Sequence, residues 1–574
     1  MKETLYVIIK KNNAYKRIKK NKDVFTLNQY ILSEKEKTYI NNIYPDAEKT
    51  SIESKDLIIK THKLKKDILN NISKFHIFKN TKDLDELLDP LLEIKISRYL
   101  YLKSAIPKYK KYILINNKKI YQLSSKLELI IKIDEIYCDS KDKNNDFLKK
   151  FYRYDFNIYN NILLKIQSKL LKNILKNNKK EIYFFSDQKA YFIDTIKEKL
   201  SDKKNIFIYY SPTGSYLRII SILFEQFYRM IFKKNLKEVG IFLLSENRID
   251  KNNSKIYKDF YKFRIPDLEK EYCSYLAKQL YFYLLNTISF QKYLSTIFRG
   301  RNISKSFFHS VRFPDLFSFS RILKKSSKDL YLISHGSNTI QKEDISGLIA
   351  SKSLGIGLSY TKEKKIKLLS QSIFCDDFLN SINLKYLKIN RLIKFDKNNI
   401  DLSDSKKNES KTKILFIGTV KQLGERRYYF ESSQEFFESI NRIYNGLIKY
   451  KELFEINLRI RDVNNEINNE ILKNALFKKN DLIKIDNSKT IYEEMINSDC
   501  IISFSSTTLE EALTLNKPVM CFGLPTYNHL RHYENDENKI KNHKKGKNLE
   551  IIEMQLDRKF IFNSQVKREI NFSF

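Results

Sequence analysis

Four consecutive hydroxyl residues, Ser505-Ser506-Thr507-Thr508, stand between a short apolar run, Cys500-Ile501-Ile502-Ser503-Phe504, and a helical pattern, Leu509-Glu510-Glu511-Ala512-Leu513. The run is β-rich and apolar through its middle, as a buried parallel strand is. Ser and Thr at such a junction cap the following helix, whose first N–H groups carry partial positive charge. Hydroxyls and free N–H groups together suit a phosphate or a carboxylate. Asn516-Lys517-Pro518 then stops the helix, and Val519-Met520-Cys521-Phe522-Gly523 reads as the next strand. The stretch predicts one βαβ unit with a ligand site at its mouth.

Other residues could join that chemistry. His335-Gly336 follows the strand pattern DLYLIS. A His at the carboxyl end of a strand sits where ligands bind in α/β sheets, and can serve as general base on a hydroxyl or contact a phosphate. The plain alternative is a turn histidine. Gly418-Thr419, after the run Ile414–Ile417, offers backbone N–H groups to phosphate. Arg459 and Arg461 alternate onto one face of INLRIRD, with Arg461 nearer the carboxyl end; a solvated strand end explains Arg459 equally well. Glu511, one turn into its helix, can accept two ribose hydroxyls, whereas Glu510 reads as helix-start acidity. Asp83-Leu84-Asp85 is the Asp-x-Asp of interest for a metal, but it lies in the helix-like KDLDELLDP, and Asp376-Asp377 lacks strand context. With no His/Cys group at zinc spacing and no P-loop, the reading calls for no metal and no cofactor. Leaving-phosphate charge would fall to helix termini and to Arg or Ser groups.

The stretch from Ser505 onward resembles a family motif: Ser505, Ser506, Thr507, Glu511, Ala512, Lys517, Pro518, Val519, Gly523 and Tyr527 match the C-terminal half-domain of GT-B glycosyltransferases. It is most similar to the capsule and surface-polysaccharide group that includes bacterial Kdo transferases. Asn516 stands where that group has Gly, and HLRHYEN follows Tyr527 in place of a glycine-containing segment. The likeness covers roughly residues 410–535. It implies donor phosphate at Ser505–Thr508, the nucleotide ribose at Glu511, and a basic strand end, here Arg461, helping to hold the phosphate. The His335-Gly336 segment resembles one in related surface-polymer transferases, including the teichoic acid polymerases.

These residues need a frame. The polar stretch Asn398–Lys413 separates an N-terminal α/β part, 1–397, from a regular βα alternation over 414–535, a Rossmann-like domain, with a basic tail over 536–574. In the first part, strands are predicted at Leu5–Ile9, Asp23–Leu27, Ile182–Ser186, Ile206–Ser211, Leu330–Ser334 and Gly355–Tyr360, and a long helix from Pro266 to about Phe298. Residues 60–180 give no clear pattern. Of 12 glycines, those at 336, 347, 355, 357, 418 and 424 cluster mid-chain, which points to a cleft there or to ordinary turns. The predicted fold class is α/β, GT-B-like, with two Rossmann-like domains facing a cleft and the N-terminal one enlarged by helical insertions.

Composition narrows the partners. The 574 residues carry a net charge of +38, from 106 Lys and Arg against 68 Asp and Glu, and include 39 Phe and 37 Tyr. That much aromatic content argues against disorder. The Lys residues are scattered, without an Arg-rich run or an RNA-binding motif, so nucleic acid is disfavoured and the bias of an AT-rich genome explains most of the charge. Nucleotide-sugars, acidic glycans and an anionic membrane surface remain as partners. Cys138, Cys273, Cys375, Cys500 and Cys521 show no paired spacing, as expected in a reducing cytoplasm. No apolar run reaches the length of a membrane span. The helical pattern Tyr216–Lys234 mixes Ile, Leu, Phe and Met with four cations, the composition of an interfacial segment or of a buried helix with basic edges.

The sequence thus predicts a cytoplasmic, membrane-peripheral transferase that moves a sugar from a nucleotide donor to a glycan or lipid-linked glycan. A CMP-activated acidic sugar is favoured and a UDP-sugar is open. The alternatives are a CDP-polyol phosphotransferase of the teichoic-acid type and a non-catalytic polyanion-binding protein.

Overall fold

Several strands in this chain, such as Ile182–Phe185 and Cys500–Ser503, are apolar on both faces, and such strands belong in parallel sheets covered by helices on each side. The computed structural model bears this out and describes residues 3–10, 22–44, 54–74, 84–116, 119–139, 165–173, 181–186, 196, 200, 205–211, 223–224, 227–228, 238–242, 263–298, 300–308, 314–333, 366–370, 373–381, 383–389, 411–420, 433–462, 469–476, 478–479, 481–503, 508–522 and 546–562. Among the described residues the strands form three sheets. The α/β class is as expected, but residues 1–397 carry two sheets where the sequence reading placed one unit.

The first sheet holds β1 (Thr4–Lys10), β2 (Lys22–Thr26), β3 (Ile40–Tyr44), β4 (Lys111–Asn116) and β5 (Lys119–Leu123). Its order is β3-β2-β1-β4-β5, parallel except for β5. Helices α1 (Glu34–Lys37), α2 (Ser54–Ser73) and α3 (Leu84–Ala105) lie between β3 and β4, or beside them in sequence, and α4 (Lys126–Asp139) follows β5. Lys95 and Arg98 of α3 close ion pairs with Asp134 of α4, all three nearly fully buried. α3 begins at Leu84, so Asp85 stands in its first turn and the Asp-x-Asp is a helix start, as read; Asp83 lies outside the described residues.

The second sheet is β6 (Ile182–Phe185), β7 (Ile206–Ser211), β8 (Glu238–Phe242), β9 (Ile303–Phe308), β10 (Ser327–Ile333), β11 (Ile366–Ser370) and β12 (Tyr386–Lys388). All neighbours are parallel, in the order β12-β11-β10-β9-β6-β7-β8. Helices α5 (Lys270–Phe298), α6 (Pro314–Ser326) and α7 (Ile373–Ser381) belong to the same part of the chain. Aromatic residues build this core. On one face Phe185 stacks on Phe307 at 5.2 Å, and Phe307 on Tyr331 at 4.9 Å. On the other, Phe184 lies 4.9 Å from Phe319 of α6, which in turn meets Phe290 of α5 at 5.5 Å. Successive strand residues point to opposite faces, so a run such as Tyr183-Phe184-Phe185 feeds both layers. Each buried ring of this size contributes about 1.5–3 kcal/mol before entropy is counted.

The third sheet contains β13 (Thr412–Val420), β14 (Phe454–Asp462), β15 (Ile483–Lys484), β16 (Cys500–Ser503) and β17 (Val519–Cys521). Its helices are α8 (Ser433–Leu447), α9 (Asn469–Ala475), α10 (Ile491–Ile496), α11 (Thr508–Thr514) and α12 (Lys547–Leu556). The order β15-β14-β13-β16-β17 is wholly parallel. α8 is amphipathic: Phe436, Phe437, Ile440, Ile443 and Leu447 are all buried, at helical spacing. The chain beyond α12 returns to this sheet, where Ile561 bridges Val519 antiparallel and Phe560, Ile561 and Phe562 are buried.

Two compact units divide the chain: 1–65, 92–137 and 394–567 form one, and 66–91, 138–393 and 568–574 the other. The first and third sheets therefore share a unit. Within it, the 3-10 turn Gln29–Ile31 after β2 meets α8 and α9. Gln29 Nε2 donates to Glu438 Oε1 at 2.6 Å, Asn441 Nδ2 to the Tyr30 hydroxyl, and Asn474 Nδ2 to the Tyr30 carbonyl at 2.9 Å. The Tyr30 ring packs 5.2 Å from Phe437. Burial first, and the Glu438 charge second, push the Tyr30 hydroxyl well above the usual tyrosine range.

Candidate functional site

In a sheet ordered 3-2-1-4-5, the first and fourth strands are neighbours whose helical connections leave on opposite sides, and a crevice opens at their carboxyl ends. In the third sheet those strands are β13 and β16. Their register pairs Ile417 with Ser503, and there β16 ends while β13 continues through Gly418, Thr419 and Val420. Ser503, 1 % exposed, donates its hydroxyl to the Ile417 carbonyl at 2.7 Å and braces the fork. Ser505, Ser506 and Thr507 come next in the chain and lie outside the described residues. Thr508 opens α11. The end of β16 and the start of α11 therefore flank the switch point.

α11 separates its two acids. Leu509, Ala512 and Leu513 face the core, and Glu510 is buried with them at 2 % exposure. Glu510 stands in the first turn of α11, the helix-start acid that the sequence reading made it, although its side chain is buried. Glu511 is half-buried, the more exposed of the two. The helix ends at Asn516, whose φ of 57° is left-handed. Asn516 N–H donates to the Leu513 carbonyl and Lys517 N–H to that of Ala512, a Schellman closure in which Asn serves in place of Gly.

Several motif residues prove to be structural. Lys517 Nζ donates to the carbonyls of Ile496 and Ser498, at 2.6 and 2.7 Å, satisfying backbone groups at and just beyond the end of α10. Burial lowers its pKa from the usual lysine range. The Pro518 carbonyl accepts from Ile501 N–H. Arg459 is committed to Glu494, at 2.6 Å, and to the Lys489 carbonyl, at 2.7 Å, so it is not a solvated strand end. Arg461 lies two residues on, beside Thr419 in the β13–β14 register, level with the end of β13. Gly418 has a steric reason to lack a side chain: a Cβ there would stand 1.9 Å from the Phe436 ring.

In the second sheet, β10 ends at Ile333, two residues before His335. His335 and Gly336 lie outside the described residues, as do the predicted strand Gly355–Tyr360 and most of Tyr216–Lys234. β10 is two strands from β6 and pairs with β11. At the end of β11, buried Ser370 donates its hydroxyl to Asp376, in the first turn of α7, and Asp376 lies 4.0 Å from Lys388 at the end of β12. Asp376 thus stands within a helix and not at a strand end, as the sequence reading had it, while its partner Ser370 closes β11.

A cavity of about 570 Å³ also opens on the third sheet, lined by Thr412, Asp499, Pro518, Asn548 and Phe562 among others. These residues mark the amino-terminal edge of β13, β16 and β17, opposite the switch point. Ligands of parallel α/β sheets bind at the other edge, so this cavity is not the candidate site.

No family model matches the chain, and no curated protein matches it. Solved structures similar to it include UDP-GlcNAc 2-epimerase from Neisseria meningitidis bound to UDP-GlcNAc, 12% identical over 60% of this chain and 82% of that one, with a TM-score of 0.33. S. aureus MnaA with UDP is 12% identical over 66% of this chain and 90% of its own, TM-score 0.28. The wall teichoic acid polymerase TagF is 11% identical over 64% and 80%, TM-score 0.25. At TM-scores this low, the likenesses decide neither activity nor ligand.

Proposed function

We propose that this chain is a glycosyltransferase that binds a nucleotide-activated sugar at the switch point of the third sheet and transfers the sugar to a surface-polysaccharide or lipid-linked glycan. The observation that carries the reading is the wholly parallel 3-2-1-4-5 order, in which β16 ends at Ser503 beside β13, two positions in sequence before Ser505–Thr508. In this reading those hydroxyls hold the donor phosphate, with the Gly418-Thr419 backbone and Arg461 on the neighbouring strand. Glu511 accepts the ribose hydroxyls. A CMP-sugar is the favoured donor.

His335, with Gly336 beside it, takes the proton of the acceptor hydroxyl. The freed oxygen then bonds the anomeric carbon as the bond from that carbon to the donor phosphate oxygen breaks. The nucleotide leaves carrying the bonding pair, and charge gathers on a phosphate already hydrogen-bonded by the hydroxyl segment, the term that does most in such transfers. A lipid-linked acceptor would bring the reaction to the inner face of the membrane.

Thermal shift with CMP-, UDP-, CDP- and GDP-ligands tests donor binding, and a response to CDP-polyol alone would turn the reading toward a polyol phosphotransferase. Ser506→Ala with Thr507→Val should weaken nucleotide binding by about 1–3 kcal/mol, the loss of hydrogen bonds to a charged group. Unchanged affinity in a folded double variant overturns the phosphate assignment. His335→Ala should lower turnover by about 10²–10⁴-fold at nearly constant donor affinity; near-normal turnover removes His335 from the chemical step.

A further inference from the structure

Gly418 has no side chain to fix its own place, so its backbone is set by what fills the space where a Cβ would stand. That is the ring of Phe436, 1.9 Å from the Cβ position. Phe436 stacks on Phe416 of β13, ring centres 5.8 Å apart, and meets Phe437 edge-on at 5.4 Å. Phe437 in turn meets the Tyr30 ring at 5.2 Å. All four rings are buried, and all belong to one compact unit. Aromatic contacts therefore run unbroken from the turn after β2 to the carboxyl end of β13. We propose that Tyr30 is a positioning residue for the switch-point site: through Phe437 and Phe436 it holds the end of β13, and with it Gly418, in the place that receives the donor phosphate.

The anchoring of α8 singles out Tyr30. The carboxyl-terminal half of α8 is held by α12, where the Gln555 backbone stands against Gly446. The amino-terminal half, which carries Phe436 and Phe437, meets the turn Gln29–Ile31. Glu438 accepts from Gln29 Nε2 at 2.6 Å, Asn441 donates to the Tyr30 hydroxyl, and Asn474 of α9 donates to the Tyr30 carbonyl at 2.9 Å. These bonds fix the seat of the Tyr30 ring on Phe437. A close-packed interior has no voids to absorb a displacement, so it passes strain on. A shift of Tyr30 thus reaches Phe436, and the missing side chain of Gly418 leaves that ring in direct contact with the strand backbone. At the same strand end the Ser503 hydroxyl holds the Ile417 carbonyl. Only the phosphate rests on the transferase reading given above; the link from Tyr30 to Gly418 does not.

Hydrogen exchange of the full chain, without ligand and with CMP, tests the link. Without ligand, Tyr30→Ala should speed exchange of the amides at 418–420 several-fold, while Tyr30→Phe, which keeps the ring, should stay close to wild type. At a temperature where every variant is folded, Tyr30→Ala should bind CMP about tenfold more weakly and Tyr30→Phe nearly as wild type does. A residue that only stabilised the fold would lower the melting temperature and leave the affinity of the folded protein unchanged. Coupling is reciprocal, so CMP should slow exchange at 28–32 in the wild type, a measurement that needs no variant. Unchanged exchange at 418–420 in folded Tyr30→Ala overturns the proposal, and so does CMP binding that leaves 28–32 unaltered. Equal impairment by Tyr30→Phe and Tyr30→Ala removes the ring as carrier and overturns it too. If Tyr30→Ala does not fold, Asn474→Ala, which removes one hydrogen bond to the turn, replaces it with the same expectations at smaller amplitude. Absence of CMP binding counts against the donor reading alone, and the ligand-free exchange then decides the link by itself.

Discussion

At Gly418 two explanations meet, a backbone that approaches phosphate and a backbone that makes room for a ring. The ring is in place: Phe436 is fully buried and would lie 1.9 Å from a Cβ. Gly418→Ala should therefore cost about 1–3 kcal/mol in urea unfolding, the range of core overpacking, and Phe436→Leu in the same chain should recover part of it. The two arginines of β14 divide in the same way. Arg459→Met leaves Glu494, 5 % exposed, without its cation and should destabilise by about 3 kcal/mol, the low end for a broken buried pair. Glu494→Gln added to it should restore some of that loss. Arg461→Met should leave the unfolding midpoint within experimental error and weaken nucleotide binding, the opposite signature. Sequence spacing put both arginines on one face; that Arg459 is held in an ion pair depended on Glu494, 35 residues away in the chain, and no local pattern carries that.

Elements differed in legibility for a physical reason. β6, β7, β10, β13 and β16 were readable because strands covered on both faces are unbroken apolar runs bounded by polar residues. α3 was not. It buries Lys95, Arg98 and Glu93 among its apolar residues, so the usual alternation of wet and dry faces is missing from its sequence. β15 has only two residues, too few for any periodicity. The end of α11, by contrast, was written in Asn516-Lys517-Pro518. Asn516→Gly should be neutral or slightly stabilising, while Asn516→Val should cost about 1–2 kcal/mol, since a β-branched residue resists a φ of 57°. Thermal melts of the two variants check the pair.

On the scale of the whole molecule, strand order and the pairing of sheets were not legible, because strand order depends on contacts up to about 120 residues apart and the first and third sheets meet through contacts about 400 apart. The reading of residues 536–574 as a basic tail also missed how α12 and Phe560–Phe562 complete the third sheet. Gly446 of α8 lets the backbone of Gln555 come to 3.3 Å of where a Cβ would stand, and Ile552, Leu556, Phe560, Ile561 and Phe562 are all buried. A chain ended at Lys545 should lose several kcal/mol, each of these side chains contributing about 1.5–3 kcal/mol as an upper figure. A fall in the urea midpoint, with faster proteolysis of the remaining third sheet, is the expected outcome.

The hydrogen bond from Asn441 to Tyr30 spans 411 positions of sequence. A ribosome adds about 5–20 residues each second, so Tyr30 emerges roughly 20–80 s before its partner is made. During that interval the first sheet has formed, if at all, without the helices that complete its unit, and residues 138–393 of the other unit are synthesised in between. The buried side of Gln29–Ile31 is then a sticky surface on a nascent chain. In cells, the N-terminal module is where chaperones should be found while the rest is still being translated.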